Sequence, residues 1–229
     1  RRQPHSITDL PIWNDRICGM GWQQAMFSLA DRIAPSAFYV SADVWSPKIG
    51  STKTPDGWKL GKIFGAFRNV DSFLLQLLGP SSTRCFYEII RENRACKAYF
   101  DAEAEPGAMD AAQGRQMCQI LVDTWAARIR QLWPRAEREC PMCLQVMILD
   151  GSRATKKGWK VSYHLVYPLL TFPCNTTTLK EEAIAISNLP QLQYRTTDGT
   201  MRGFVDSAVY TRNRQIRLPL SYKLSDETC

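Results

Sequence analysis

Between residues 96 and 206 the hydrophobic period of the chain switches in a fixed order, and no other feature limits the available folds as much. "CKAYFDAE" reads with period two, as a strand does. Residues 109–132 then set Met117, Ile120, Leu121, Trp125, Ile129 and Leu132 along one stripe, the mark of a helix laid on a core. "LQVMILD" and "WKVSYHLVY" are strands on either side of a polar turn, residues 151–158. "TLKEEAIAIS" is a helix with Thr178 as its cap, and "RGFVD" is a last strand. Strand–helix–strand–strand–helix–strand is the split βαβ pattern of ferredoxin-like and RNA-recognition-type (RRM-like) folds, and it makes the chain α+β.

That order carries a geometric expectation. In its usual sheet the first strand lies between the third and the fourth, antiparallel to both. Asp101 and Glu103 end the first strand two residues apart and share a face. Lys160, Ser162 and His164 share a face of the third strand, and Asp206 stands by the fourth. The other faces carry Ala98, Phe100, Val161, Tyr163 and Leu165, which suit packing against the helices. A D-x-E pair alone is most often a solvated strand end. Three carboxylates converging with an ammonium, a hydroxyl and an imidazole point instead to a site.

Carboxylates crowded together repel unless cations lie among them. Their hard oxygens suit Mg²⁺ or Mn²⁺, and a pair of such ions serves in-line phosphoryl transfer. Lys160, Ser162 and His164 could then hold a triphosphate. "VYTRNRQIRLPLSYK" adds Arg212, Arg214, Arg217 and Lys223 just after Asp206, to balance the acids or to hold phosphates; a solvated strand explains Arg212 equally well. A metal-dependent nuclease could use the same acids, though it leaves the basic and hydroxyl groups unexplained. A non-catalytic nucleic-acid-binding module fits the topology and the charge, but binders of this type put aromatics on the open sheet face.

The chain has 229 residues, 29 Lys and Arg against 22 Asp and Glu, and a formal charge of +7. That excess favours a polyanionic partner. No apolar run approaches the ~20 residues a membrane span needs, so no membrane partner is expected. The opening Arg1, in place of Met, makes a fragment of a longer protein the expectation. Eight irregularly spaced cysteines read as reduced thiols, and the single C-x-x-C, Cys140 and Cys143, lacks the further ligands structural zinc requires. Upstream, "WQQAMFSLADRIA" carries Trp22, Ala25, Met26, Leu29 and Ile33 at helical spacing. "AFYVSADVW" alternates like a half-buried strand, with Phe38, Val40, Ala42 and Val44 on one side. A turn at Pro55-Asp56-Gly57 leads to the strand "WKLGKIFGAF", a short helix "VDSFLLQLLG" stopping at Gly79, and the strand "RCFYEIIRE".

"RCFYEIIRENRACKAYFDAEAEPG", "KVSYHLVY" and "FVDSAVYTRNRQIRL" together resemble the signature regions of the eukaryotic PrimPol proteins of the archaeo-eukaryotic primase superfamily. The likeness spans residues 84–223, and the motifs are specific as a set. It implies the primase fold: a small N-terminal α/β module (residues 1–95) packed on an RRM-like βαββαβ catalytic module (residues 96–229). By resemblance Asp101, Glu103 and Asp206 are the metal carboxylates, for Mg²⁺ or Mn²⁺. Ser162 and His164, with Lys160 beside them, meet the incoming triphosphate. Arg217 and Lys223 fall at further triphosphate contacts, Arg214 near template or nucleotide, and Lys62 in "GKIFGAF" at a basic residue near the nucleotide.

The implied activity is that of a DNA-directed DNA polymerase, a primase-polymerase core. It extends a DNA primer–template with dNTPs (NTPs being the alternative) in translesion synthesis and damage tolerance. The implied compartment is the nucleus, with the mitochondrion as the alternative. The sequence departs from the family's pattern at Arg91, where proline is commoner, and at Gln215, and the segment before the last motif is short. Nothing here resembles the family's carboxy-terminal zinc module, which could lie beyond Cys229, so primer extension is expected and de novo priming, the activity of a DNA primase, stays open.

Overall fold

A computed structural model describes residues 12–14, 27, 30–31, 37–47, 58–67, 69–78, 85–92 and 94–221. The chain divides into two compact units, one made of Arg1–Ile90 with Gln215–Cys229 and the other of Arg91–Arg214. The sequence-based division at 95/96 therefore shifts at one end and is interrupted at the other. From Gln215 the chain returns to the first unit, because the strand Arg214–Arg217 extends that unit's sheet. Leu218 continues the attachment, donating its N–H to the Phe86 carbonyl at 3.1 Å.

The first unit is a five-stranded sheet formed by β1 (Ile12–Asn14), β2 (Phe38–Pro47), β3 (Trp58–Phe67), β4 (Phe86–Ile90) and the strand Arg214–Arg217. The spatial order is β1, β3, β2, β4 and then that last strand. Period-two alternation sorts the side chains. Tyr39, Ala66 and Ile89 pack with Phe27 and Ala30, which are helical. Val40, Ala42, Phe67 and Phe86 pack with Phe73 and Leu77 of α1 (Val70–Leu77). Both faces are thus covered, and the expectation of a half-buried β2 is corrected: Ser41 and Asp43 are buried as well. The side chains of Trp22, Ala25, Met26, Leu29, Ile33 and Val44, the Pro55-Asp56-Gly57 turn and Gly79 lie outside the described residues.

The second unit begins with β5 (Cys96–Ala104) and α2 (Ala111–Leu132). Asp110 caps α2 in a reciprocal box with Gln113: Gln113 N–H donates to the Asp110 carboxylate, and the Gln113 side chain accepts from the Asp110 N–H. The buried stripe of α2 is Gly114, Cys118, Leu121, Trp125 and Ile129. The predicted stripe is right at Leu121, Trp125 and Ile129, but Leu132 at its end is half-exposed and its start is misplaced, because small Gly114 and Cys118 let the helix approach the sheet while Met117 and Ile120 stay half-exposed. A short helix α3 (Ala136–Glu139) leads to β6 (Met147–Asp150), β7 (Arg153–Thr155) and β8 (Gly158–Phe172). The strand order is β5, β8, β6, with β7 hairpinned onto the start of β8.

The chain then wraps as a wide helical turn (Asn175–Leu179) into α4 (Lys180–Ser187), followed by the paired strands β9 (Gln193–Arg195) and β10 (Met201–Gly203). Thr178 does not cap α4 as expected. It sits inside the wide turn, where its hydroxyl bonds back to the Cys174 carbonyl at 2.9 Å. The expected fourth strand, "RGFVD", contributes to the main sheet only a single antiparallel bridge, Ala102 to Val205. Its backbone is shared: Phe204 N–H donates to the Leu192 carbonyl and the Val205 carbonyl accepts from the Ser187 hydroxyl. The first strand nonetheless lies between the third strand and this segment, antiparallel to both, as the pattern requires. The molecule is mixed α+β with antiparallel sheets. Among the described residues no helix is long and apolar enough to cross a membrane, and Cys140 and Cys143 are free thiols.

Candidate active site

The register of β5 against β8 sets Asp101 opposite His164 and Glu103 opposite Ser162. Directly opposed residues share a face, as do residues two apart along a strand, so all four stand together. On the other edge of β5, Asp206 N–H donates to the Asp101 carbonyl (2.8 Å) and Glu103 N–H to the Phe204 carbonyl (2.9 Å). These bonds flank the Ala102–Val205 bridge and bring Asp206 opposite Asp101. Asp206, Asp101 and His164 form a row across three adjacent backbone segments, with Glu103 and Ser162 one step along. Local fold alone produces this, through strand parity and one bridge.

The charges interlock. Lys160 Nζ lies 3.0 Å from Glu103 Oε2. His164 Nε2 lies 3.5 Å from Asp101 Oδ1, and Arg214 Nη2 lies 4.0 Å from Asp101 Oδ2. Desolvation raises the Asp101 pKa above the ordinary carboxylate range; His164 and Arg214 oppose the rise, and Glu103 and Asp206 add to it. Three carboxylates face two permanent cations, which leaves the cluster with an appetite for further positive charge. Asp206 also accepts the Ala208 N–H (2.9 Å), fixing the short helical turn Ser207–Val209. Arg214 keeps a buried Nε with no partner among the described residues, a donor held in reserve.

Several supporting residues carry no signal that spacing alone reveals. Tyr99, two residues before Asp101, is covered by Tyr210 at 5.1 Å between ring centres. The Tyr210 hydroxyl donates to the Tyr99 carbonyl (2.7 Å), the Tyr99 hydroxyl to Asn175 Oδ1 (2.8 Å), and the Asn175 amide to the Thr211 carbonyl (3.1 Å). This chain of bonds ties the segment between Asp206 and Arg214 to β5. Burial pushes both phenols well above their usual pKa, so they remain neutral donors. Ser162 is seated by Ser152, whose hydroxyl accepts the Ser162 N–H (3.0 Å) while its own N–H donates to Asp150 (2.8 Å). The parity of Tyr99 with Asp101 and Glu103 is the one hint legible beforehand.

Asp206 depends on a close approach three residues upstream. A β-carbon on Gly203 would press on the Ser187 hydroxyl and lie 2.8 Å from the Ser187 carbonyl oxygen. Gly203→Ala is therefore expected to destabilise the protein by about 1–3 kcal/mol, as overpacking does. Denaturant titration checks this; a variant as stable as the wild type would contradict the packing described.

Of the remaining predicted cations, Lys62 and Arg217 belong to the first unit, Arg212 to the second, and Lys223 lies outside the described residues. Lys62 pairs with buried Asp43 at 2.7 Å and sits 3.6 Å from the centre of the Tyr87 ring. Tyr87 donates to the other Asp43 oxygen (2.7 Å). Burial and then Asp43 raise the Tyr87 pKa, while Arg217 beside it lowers it. Lys62 thus has a structural counter-charge, whereas Arg217 retains a buried Nε without a partner among the described residues. Gln215 accepts the Ser41 hydroxyl at 2.8 Å. Lys223 lies outside the described residues. Arg212 forms an exposed pair with Glu92 (2.8 Å), consistent with a solvated role.

The carboxylate oxygens of Asp101, Glu103 and Asp206 fit a hard divalent cation in kind. Among the described residues no three His, Cys, Asp or Glu side chains are gathered as a ready-made metal cage; Glu103 and Asp101 turn instead to Lys160, His164 and Arg214. No protein family and no curated protein matches the chain by sequence.

Proposed function

We propose that the protein is a template-directed nucleotidyltransferase, a primase-polymerase core of the archaeo-eukaryotic primase type that adds nucleotides to a primer 3′-hydroxyl. The observation that carries this reading is the Asp206–Asp101–His164 row beside Glu103 and Ser162, which joins metal-type carboxylates to phosphate-type donors on one sheet face. Asp101, Glu103 and Asp206 would hold Mg²⁺ or Mn²⁺, which supplies activation of the attacking hydroxyl and charge neutralisation at the leaving pyrophosphate. Lys160, Ser162, His164 and Arg214 bind and orient the triphosphate, so that the 3′-oxygen forms a bond to the α-phosphorus as the α–β bond breaks. Positioning on paired strands, rather than a proton relay, does most of this work.

The sheet reads poorly as a bare nucleic-acid binder. RNA-recognition sheets stack bases on exposed aromatics, and Tyr99, the aromatic on this face, is 4% exposed beneath Tyr210. Primer extension on a labelled primer–template with Mg²⁺ or Mn²⁺ tests the proposal, comparing dNTPs, NTPs and no nucleotide. Stepwise lengthening is expected only with nucleotide. Shortening of the DNA without nucleotide would replace the reading by a nuclease.

A further inference from the structure

The hairpin of β7 and β8 carries cations that the site just described does not use. The register pairs Arg153 with Lys160, directly opposite each other and so on one face, the face of Ser162 and His164. Like charges opposed across a strand pair are unfavourable without an anion between them. Lys160 has Glu103, but among the described residues the Arg153 guanidinium reaches only the Gly151 carbonyl, at 3.3 Å. Lys156 and Lys157 follow at the exposed tip, so three cations with no ion-pair partner among the described residues line five positions. Of the acids close by in the chain or at the adjoining turn, Asp150 accepts the Ser152 N–H and Glu105 accepts from Thr197.

The hairpin is also rigid where it needs to be. Gly107 (φ 87°) and Gly158 (φ 107°) meet backbone to backbone; a β-carbon on Gly158 would lie 2.9 Å from the Gly107 Cα, and one on Gly107 2.8 Å from the Lys157 carbonyl oxygen. The Gly107 N–H donates to the Trp159 carbonyl at 3.0 Å. At the tip, the Thr155 hydroxyl donates to the Gly158 carbonyl (2.7 Å) and accepts the Lys157 N–H (3.2 Å). This clamps the tip to the turn that leaves β5, four residues beyond Glu103. Cations on a braced hairpin bind with less ordering cost than cations on a free loop.

We infer that Arg153, Lys156 and Lys157 form a sequence-independent clamp for the phosphodiester backbone of a nucleic-acid strand running past the Asp101–Glu103 face. This rests on the nucleotidyltransferase reading only for the identity of the polyanion as nucleic acid. The test is binding of a fluorescent primer–template to the full chain across a salt series, with no nucleotide present. Arg153→Gln/Lys156→Gln/Lys157→Gln is compared with Arg115→Gln/Arg135→Gln/Arg138→Gln, which removes the same charge from the helical layer.

The hairpin variant should bind about ten-fold more weakly, and its slope of log K against log salt should flatten by roughly 0.9 for each phosphate it no longer neutralises. The helix-layer variant should keep most of the affinity. Equal losses in both variants, or none in the first, would overturn the clamp. So would weaker binding of free dNTP by the hairpin variant with DNA binding intact, which would assign these cations to the triphosphate instead. Hairpin-dependent DNA binding in a protein that extends no primer would discard the catalytic reading and leave the clamp standing.

Discussion

Asp101→Asn is expected to cost at least about 10³-fold in nucleotide incorporation while making the folded protein more stable at neutral and alkaline pH. The two effects share one cause. The Asp101 carboxylate is largely buried, its side chain 15% exposed, and desolvation raises its pKa despite His164 and Arg214 nearby. A carboxyl whose folded pKa is raised contributes its full stability below the unfolded value, about 3.9. That contribution is lost as the pH rises through the folded value, so the ionised group works against folding. Asn keeps the shape and the hydrogen-bonding oxygen without that charge. Melting curves should show the variant above the wild type at about pH 8, with the gap closing as the pH falls. A variant that melts lower at every pH would mean that the contacts to His164 and Arg214 outweigh burial.

Trp125→Ala should cost about 3–5 kcal/mol. Trp125 is fully buried beneath the sheet, 4.9 Å from Phe100 in an edge-to-face arrangement and 5.9 Å from Phe172. Phe100 immediately precedes Asp101, and Tyr167, 6.2 Å from Trp125, follows His164 by three residues. The cavity would therefore open directly behind the paired strands that align the acids. Trp125→Phe should cost less, because it also removes an indole N–H that is buried without a partner among the described residues. Denaturant unfolding of both variants measures this; an alanine variant within about 1 kcal/mol of the wild type would show that the aromatic stack is not the keystone of this core.

What the sequence disclosed followed from parity. Asp101 and Glu103 share a face because they are two residues apart, and so do Lys160, Ser162 and His164; pairing β5 with β8 then needed only the fold's usual order. What it concealed depended on contacts between distant residues. Tyr99, Asn175, Tyr210 and Thr211 meet through bonds spanning up to 111 residues, and no local pattern announces them. Arg153 became visible only when the hairpin register set it opposite Lys160.

The start of the α2 stripe was misplaced because close approach selected glycine and cysteine there, which hydrophobicity scoring passes over in favour of Met117 and Ile120. The return of the chain to the first unit at Gln215 was hidden for a similar reason. A four-residue strand rich in arginine and glutamine looks like a solvated segment until its backbone is seen extending a sheet. Its Arg217 then stands beside Tyr87 rather than free in solvent.

The most direct measurement is incorporation of one dNTP into a labelled primer–template, following Mn²⁺ or Mg²⁺ concentration, for the wild type and for a folded Asp101→Asn/Glu103→Gln variant. The proposed mechanism predicts metal-dependent growth of the primer by one nucleotide in the wild type and no growth in the variant. Equal growth in both would show that these carboxylates do not carry the reaction.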